Sequence, residues 1–414
     1  MKRRNFIKLT STASAISLLP SQVTASLNIA KSFLDCTISN RKLVLINLAG
    51  GNDGLNTIIP LNYYDIYSNL RPNLKIPNSG INSYINLDET LDETQQIGLH
   101  PSLTGIKNLY DNDLLRIIQS VGYPSQNKSH FASTDIYSTA NDGNSWDNGN
   151  NSGWIGRFME SYYAGLMQNS YPLGVEIGSK SNSLGFHGEN EHGLSVNING
   201  QDPSGFYSLI SGMAGNPPEN IPISDYGHEL EYIIQTDALS NMYSEAISNS
   251  FNNGQNAVSY PDTDISNQLK TVARLISGGL ESKVYMVKLA GFDTHFGQNQ
   301  GSNDILGDHN DLLTKLSSAV AAFMDDLSAM NLKNDVVGLT YSEFGRKAAE
   351  NGSLGTDHGE IAPMFVFGAP VKGGVSGFNP DLNEASQDNG YQIQTVQYDY
   401  RDTLGTLLQD YLGA

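Results

Sequence analysis

Acids and histidines gather where apolar runs of this chain end. Asp53 closes "LINLAGGND" (45–53), and Asp293 and His295 stand two apart in "GFDTH" (291–295). Glu343 falls in "YSEFGR" (341–346), and Asp357 and His358 lie between glycines in "GTDHG" (355–359). Carboxylate oxygens with imidazole nitrogens suit one or two divalent ions, with zinc, manganese, calcium and magnesium as the candidates. In an extended segment, residues two apart face the same side, so Asp293 and His295 can share an ion. Each residue also has a plainer reading. Asp53 can serve a glycine turn, Asp293 can cap a turn, and His295 can be a surface histidine. Glu343 can pair with Arg346 across a helical turn, and Asp357-His358 can be a polar loop. Recurrence at several strand ends favours ligation for the set.

Metal-assisted hydrolysis also asks for a nucleophile and an anion clamp. Ser129, in "QNKSHFASTDIYSTA" (126–140), stands just before a helical pattern. There a hydroxyl either caps the helix or faces a bound anion. Thr57, near Asp53, is a weaker candidate. His309, at the start of a long amphipathic pattern, reads more readily as a surface histidine than as a ligand, and His100, in "LHPSL", is just as ambiguous. Arg157 and Arg346 can bind a phosphate or sulfate bidentately, or form salt bridges.

The elements that must position these groups are legible as short apolar runs. Strands are expected at 42–48, 114–121, 172–178, 283–290, 335–341 and 364–369, with helical patterns at 101–112, 153–167, 309–330 and 398–413. Such alternation argues for an α/β fold with a largely parallel sheet. In an open sheet of this kind, ligands bind beyond the carboxyl ends of the strands. The acids and histidines above follow those ends, or precede the strand at 364–369. Residues 179–228 are rich in Gly, Asn and Ser and weakly patterned. They read as an insertion or cap within one domain spanning 40–414.

The 414 residues are 39% hydrophobic and 16% charged, an ordinary globular balance. The formal net charge of −19 argues against nucleic acid as a partner. The first residues, "MKRRNFIKLTSTASAISLLPSQVTA", combine a basic head, a short apolar stretch and a small-residue end, which is a signal peptide over 1–25. Arg3-Arg4-Asn5-Phe6-Ile7-Lys8 resembles the twin-arginine address, which makes the export machinery an expected partner and the bacterial periplasm or exterior the expected location. No segment reads as a transmembrane span. The single cysteine, Cys36, leaves no intramolecular disulfide. A dinucleotide G-x-G-x-x-G after the first strand, a phosphate loop and a G-x-S-x-G elbow are all absent, which lowers nucleotide binding and serine-esterase chemistry.

Several segments in order along the chain carry a family likeness: "LINLAGGNDGLNTIIP", "GLHPSL", "SVGYP" with "SHF", "SGWIGRF", "GFDTHFGQ" with "HNDLL", "TYSEFGR", "GTDHG" and "KGGVSG". Together with the twin-arginine start they resemble the bacterial domain-of-unknown-function family 1501, which is regarded as part of the alkaline-phosphatase and sulfatase-like superfamily. The resemblance implies an alkaline-phosphatase-like three-layer sandwich, with a central mostly parallel sheet and helices on both faces. It also implies Asp and His ligands at the strand ends. Asp53 is similar to the first-strand metal carboxylate, Asp293 and His295 to the Asp-and-His segment, His358 to the late histidine, and Ser129 to the nucleophile. The chain departs from the superfamily after 335–341, where Ser342-Glu343-Phe344 replaces an Asp-His pair. Glu343 can replace the Asp. Asp357 or His309 then fills the gap, or one metal site is lost.

The expected function is an exported metal-dependent hydrolase acting on an anionic phosphate or sulfate ester. The alternative is a non-catalytic envelope scaffold or binding protein on the same fold, with a structural or lost metal site.

Overall fold

The computed structural model describes residues 40–141, 152–166, 170–178, 183–189, 195–198, 203, 223–224, 241–300 and 305–413. The expected signal peptide lies outside the described residues, as does most of the 179–228 insertion.

The frame is a nine-stranded sheet. Its central strands are β1 (Lys42–Ala49), β8 (Val284–Ala290) and β9 (Val336–Tyr341). Beyond β9 lie β10 (Ala362–Phe367), β5 (Leu115–Gly122), β11 (Gly374–Ser376) and β12 (Tyr398–Asp399). Beyond β8 lie β6 (Gly174–Glu176) and β7 (Ser195–Asn197). The order across the sheet is β11-β5-β10-β9-β1-β8-β6-β7, with β12 also paired to β5. β1 runs parallel to both neighbours, with Leu45 level with Met286 and Leu339. Only β10 among these strands is reversed, pairing antiparallel with β5 and β9. A smaller sheet joins β2 (Ile58–Pro60), β4 (Ile97–Leu99) and β3 (Ile85–Asn86).

β1 shows why the sheet is sandwiched. Its sequence KLVLINLA is almost wholly buried, as expected of a central strand covered on both faces. Side chains alternate between faces: Val44, Ile46 and Leu48 join one apolar cluster, whereas Leu43 and Leu45 join another. The first cluster includes side chains of the helices Thr104–Asp111, Asp264–Ser277 and Asp308–Ala329. The second includes side chains of His130–Thr139, Trp154–Tyr162 and Tyr400–Thr406. The mostly parallel three-layer α/β sandwich is thus the architecture expected above. The helix Asp264–Ser277 is not among the expected elements. Its apolar positions 265, 269, 272, 273 and 276 follow one helical face, and Thr263 caps it by accepting from the Ser266 N–H at 3.3 Å.

Reversal of β10 has a functional consequence. Residues that precede β10 lie at the same sheet edge as residues that follow β1, β5, β8 and β9. His358 therefore reaches that edge from ahead of its strand.

Candidate metal centre

Gly50 and Gly51 turn the chain sharply at the end of β1, with φ of +122° and +83°. A Cβ on Gly50 would stand 2.3 Å from the Asp293 backbone nitrogen. Glycine is needed for the conformation and for the close approach of the β1 and β8 ends. The turn separates two polar groups.

The inner group is buried. Asp53 is fully withdrawn from solvent, and its Oδ2 accepts from Arg71 Nη1 at 2.6 Å and from Gln298 Nε2. Arg71 also donates to Asn56 Oδ1 and to the carbonyls of Ala348 and Lys347. Burial opposes ionisation of Asp53, but the charge and hydrogen bond of Arg71 outweigh it and hold the carboxyl below its ordinary range. His309, in the first turn of Asp308–Ala329, places Nε2 3.0 Å from Asn52 Oδ1. Burial lowers its pKa to about 4. The ring of His100 stands 5.9 Å from that of His309, and burial lowers its pKa to about 3.

The outer group is open to solvent. Asp293 and His295 follow β8. Arg346 and His358 form an antiparallel bridge that ties the loop after β9 to the loop before β10. His130 is the first residue of His130–Thr139. Asp293 Oδ1 lies 3.1 Å from His358 Nε2 and 3.2 Å from His295 Nε2, and those two nitrogens are 2.9 Å apart. Asp293 Oδ2 lies 3.4 Å from His130 Nε2. His130, Asp293 and His358 each offer a ligand atom within 4.8 Å of the others.

Each of the three rings is anchored by its other nitrogen. His358 Nδ1 meets the Lys128 carbonyl at 2.8 Å, His295 Nδ1 meets Asp357 Oδ1 at 3.2 Å, and His130 Nδ1 meets Glu343 Oε1 at 3.0 Å. A carbonyl and a carboxylate can only accept, so the network assigns the proton to each Nδ1. In the neutral rings every Nε2 then carries a lone pair facing Asp293. The lone pairs stand 3.1–3.4 Å from the carboxylate and two of them 2.9 Å from each other, an arrangement that requires a shared proton or a cation between them. Anchoring by the outer nitrogen is the arrangement that orients metal-ligating histidines. Tetrahedral ligands bonded at roughly 2.05 Å stand about 3.3 Å apart, close to these separations. The donor set fits a metal ion.

The electrostatics favour a ligating state at Asp293 and His358 and oppose it at His130. Burial works against ionisation of Asp293, but the hydrogen bond and charge of Arg346 prevail, together with the close His358 ring, and bring its pKa to about 2. The Glu343 hydrogen bond raises that of His130 despite partial burial. His358 is lowered, first by burial. Arg346, whose side chain is wholly buried, donates to the carbonyls of Gly50, Gly51, Phe292 and Thr356 and to Asp293 Oδ1. It fastens the strand ends together and holds Asp293.

The expected ligands thus fall into two places. Asp293, His295 and His358 come together, with Glu343 and Asp357 behind His130 and His295. Asp53 and His309 lie in the inner group, where Arg71 already supplies the counter-charge. Ser129 occupies the N-cap position beside His130, is exposed, and makes no side-chain cap hydrogen bond. Arg157 donates to Ser152 and to the Thr139 carbonyl. Thr139 is nine residues along its helix from His130, roughly 13 Å by helical rise. Sequence reasoning misses His130, although "SHF" begins the helix that follows β5. Arg71 and Gln298 give no sequence signal.

The sheet, its two helical layers and a histidine–carboxylate cluster at the strand ends define an α/β protein with a candidate metal centre. Residues 237–412 match the family model described as Protein of unknown function (DUF1501), in line with the resemblance. Asp293, His295 and His358 fall inside that match, and His130 precedes it. No curated protein matches the chain. Among solved structures, the chain is similar to the C-terminal periplasmic domain of EcEptC from Escherichia coli in complex with Zn. Identity is 11%, with 81% of this chain and 74% of that one covered and a TM-score of 0.39. It is also similar to a protein in the alkaline phosphatase superfamily from Vibrio parahaemolyticus (11% identity, 91% and 71% covered, TM-score 0.37). A third is the Streptococcus pyogenes phosphoglycerol transferase GacH in complex with sn-glycerol-1-phosphate (10% identity, 89% and 75% covered, TM-score 0.33). Likenesses this loose decide nothing about the reaction.

Proposed function

We propose that this chain is an exported, metal-dependent hydrolase of phosphate or sulfate esters. The observation that supports this reading is the convergence of three imidazole Nε2 atoms on Asp293, each ring anchored through Nδ1. Asp293, His130 and His358 would hold the ion, with His295 beside Asp293 and His358. Glu343, Asp357 and the Lys128 carbonyl orient the rings, and Arg346 fixes the carboxylate. Imidazole-rich ligation favours zinc over manganese, calcium or magnesium. When bound, such an ion stabilises negative charge developing on an ester oxygen. Ser129 is the candidate nucleophile, exposed and uncapped next to His130.

Among the described residues no helix is long and apolar enough to cross a membrane. The proposed location in the periplasm or outside the cell rests on the basic, twin-arginine-like start.

The scaffold reading draws support from the inner group. Asp53, the carboxylate expected to serve a metal, is already paired with Arg71. The deciding experiment is metal analysis of protein exported in its native host, combined with turnover of aryl phosphate and aryl sulfate. Bound zinc with ester turnover is expected. Bound metal with no turnover of either ester would favour the scaffold.

A further inference from the structure

A cavity of about 470 Å³ opens beside the cluster, and His130 and Glu343 belong to both. Its size falls within the roughly 300–1,000 Å³ of small-molecule sites. Resting on the hydrolase reading, we propose that this cavity receives the alcohol part of the ester, and that this part is a neutral sugar or polyol.

The walls are of two kinds. Phe131 is 87% exposed, and the rings of Tyr137 and Tyr341 are stacked at 6.0 Å with an interplanar angle of 16°. The polar part of the lining is Asn47 of β1 and Lys288 of β8, with Thr134 and Asp135 of the helix His130–Thr139. A sugar ring offers the matching surfaces, an apolar C–H face for the exposed Phe131 ring and hydroxyls around its edge for polar side chains. Asn47 Oδ1 is buried without a hydrogen-bond partner in the protein. Its amide torsion is soft, so a modest rotation would offer that oxygen to a ligand hydroxyl.

Two other alcohols fit less well. A hydrocarbon chain would cover Asn47 and Thr134 without giving them hydrogen bonds, which is unfavourable. An alcohol bearing a second anion would meet Asp135 and Glu343 with Lys288 as the lysine in the wall. With a neutral polyol in the cavity, the ester anion lies toward Asp293 and the histidines. Hydrolysis breaks the P–O or S–O bond to the sugar oxygen. Water supplies the hydroxyl that joins the phosphate or sulfate and the proton that the sugar alcohol keeps.

The test uses the whole metal-loaded protein and two independent readouts. In the first, kcat/KM is measured for a hexose monophosphate, a hexose monosulfate and the corresponding butyl esters. In the second, methyl glucoside, which carries no ester, is titrated by saturation-transfer NMR. Thr134 and Ser138 both line the cavity, and Thr134→Trp and Ser138→Trp fill it at two different points, so a folding failure in one leaves the other. We expect a preference of at least ~10-fold for the hexose ester over the butyl ester, because a site that hydrogen-bonds hydroxyls rejects analogues lacking them. Both this preference and methyl glucoside binding should be lost in the folded variants. Equal turnover of hexose and butyl esters, unaltered in the ratio by either variant, overturns the assignment while leaving the hydrolase reading intact. Methyl glucoside binding that the variants abolish, without turnover of any ester, supports the cavity assignment and removes the hydrolase. Absence of both turnover and sugar binding overturns both.

Discussion

Arg71 Nη1 stands 2.6 Å from Asp53 Oδ2, and neither side chain reaches solvent. The pair explains why an acid ends the first strand in a loop of glycines. Asp53 does not face the opening where Asp293 and the histidines meet. It anchors an arginine whose other donors hold the carbonyls of Lys347 and Ala348, and Arg71 thereby ties the segment after β1 to the loop beyond β9.

A buried ion pair is most costly when half of it is removed, because the remaining charge is stranded. Asp53→Asn and Arg71→Met should each lower unfolding stability by about 3–5 kcal/mol. The double variant should recover part of that loss. Bound metal per chain should be unchanged in whichever variants fold. Urea unfolding with metal analysis checks this. Loss of metal from a stably folded Asp53→Asn protein would return Asp53 to the ligand set.

His309 gives a pH dependence of definite sign. Its folded pKa is lowered to about 4, chiefly by burial, against about 6.5 for an unfolded histidine. Between those values the unfolded chain binds a proton that the folded chain refuses, so stability falls as pH drops. Its contribution is complete above about pH 6.5 and has gone below about pH 4, amounting to about 3 kcal/mol at most. His100, lowered to about 3 by burial and by His309, acts in the same direction. In His309→Gln the slope of stability against pH over this window should become shallower. Unfolding midpoints at pH 4.5, 5.5 and 7 for both proteins measure it, and an unchanged slope would remove His309 as the source.

The amino-acid sequence makes part of the cluster legible. Asp293 and His295 stand out because strand ends in α/β sheets gather ligands and because a two-residue spacing shares a side. His358 stands out by composition, but only the reversal of β10 explains how a residue ahead of a strand joins residues that follow strands. An apolar run carries no direction, so that reversal is not readable from it. Asp53 obeys the same strand-end rule and still goes elsewhere, since nothing in the periodicity of residues 64–70 announces Arg71 as its buried partner. His130 is visible in "SHF", but the helix-start argument directs attention to Ser129.

The anchors of the histidines should tune the site without binding the ion themselves. Glu343→Gln and Asp357→Asn should each weaken zinc binding by roughly 10–100-fold, the usual effect of losing an orienting partner. His358→Ala, which removes a proposed ligand, should weaken it further. Competition titration with a chromogenic chelator gives the order. Equal affinities for parent and all three variants would place any metal elsewhere.

The proposed export rests on residues outside the described structure. Replacing Arg3 and Arg4 with Lys keeps the basic head but removes the paired arginines that a twin-arginine receptor reads. The double variant should remain in the cytoplasm as uncleaved precursor, visible by fractionation. Normal appearance outside the cytoplasm would remove the twin-arginine proposal and leave a general secretory signal.

Ser129 separates enzyme from scaffold because its position makes the structural explanation weak. It sits at the N-cap of His130–Thr139, where a bonding hydroxyl contributes about 0.5–2 kcal/mol. No such bond is made here, so Ser129→Ala should shift stability by less than that range. Its neighbour His130 reaches Asp293, and the exposed hydroxyl is free of a capping role. If Ser129 is the nucleophile, Ser129→Ala should retain the bound metal and the melting temperature while ester turnover falls to background. Asp293→Asn should do the reverse in part, losing metal because a neutral amide replaces the carboxylate at the centre of the cluster. Measuring turnover, metal content and melting temperature on both proteins distinguishes the cases. Full activity in Ser129→Ala would eliminate the hydroxyl and leave water as the attacking group, and a drop in melting temperature with no change in turnover would make Ser129 a cap after all.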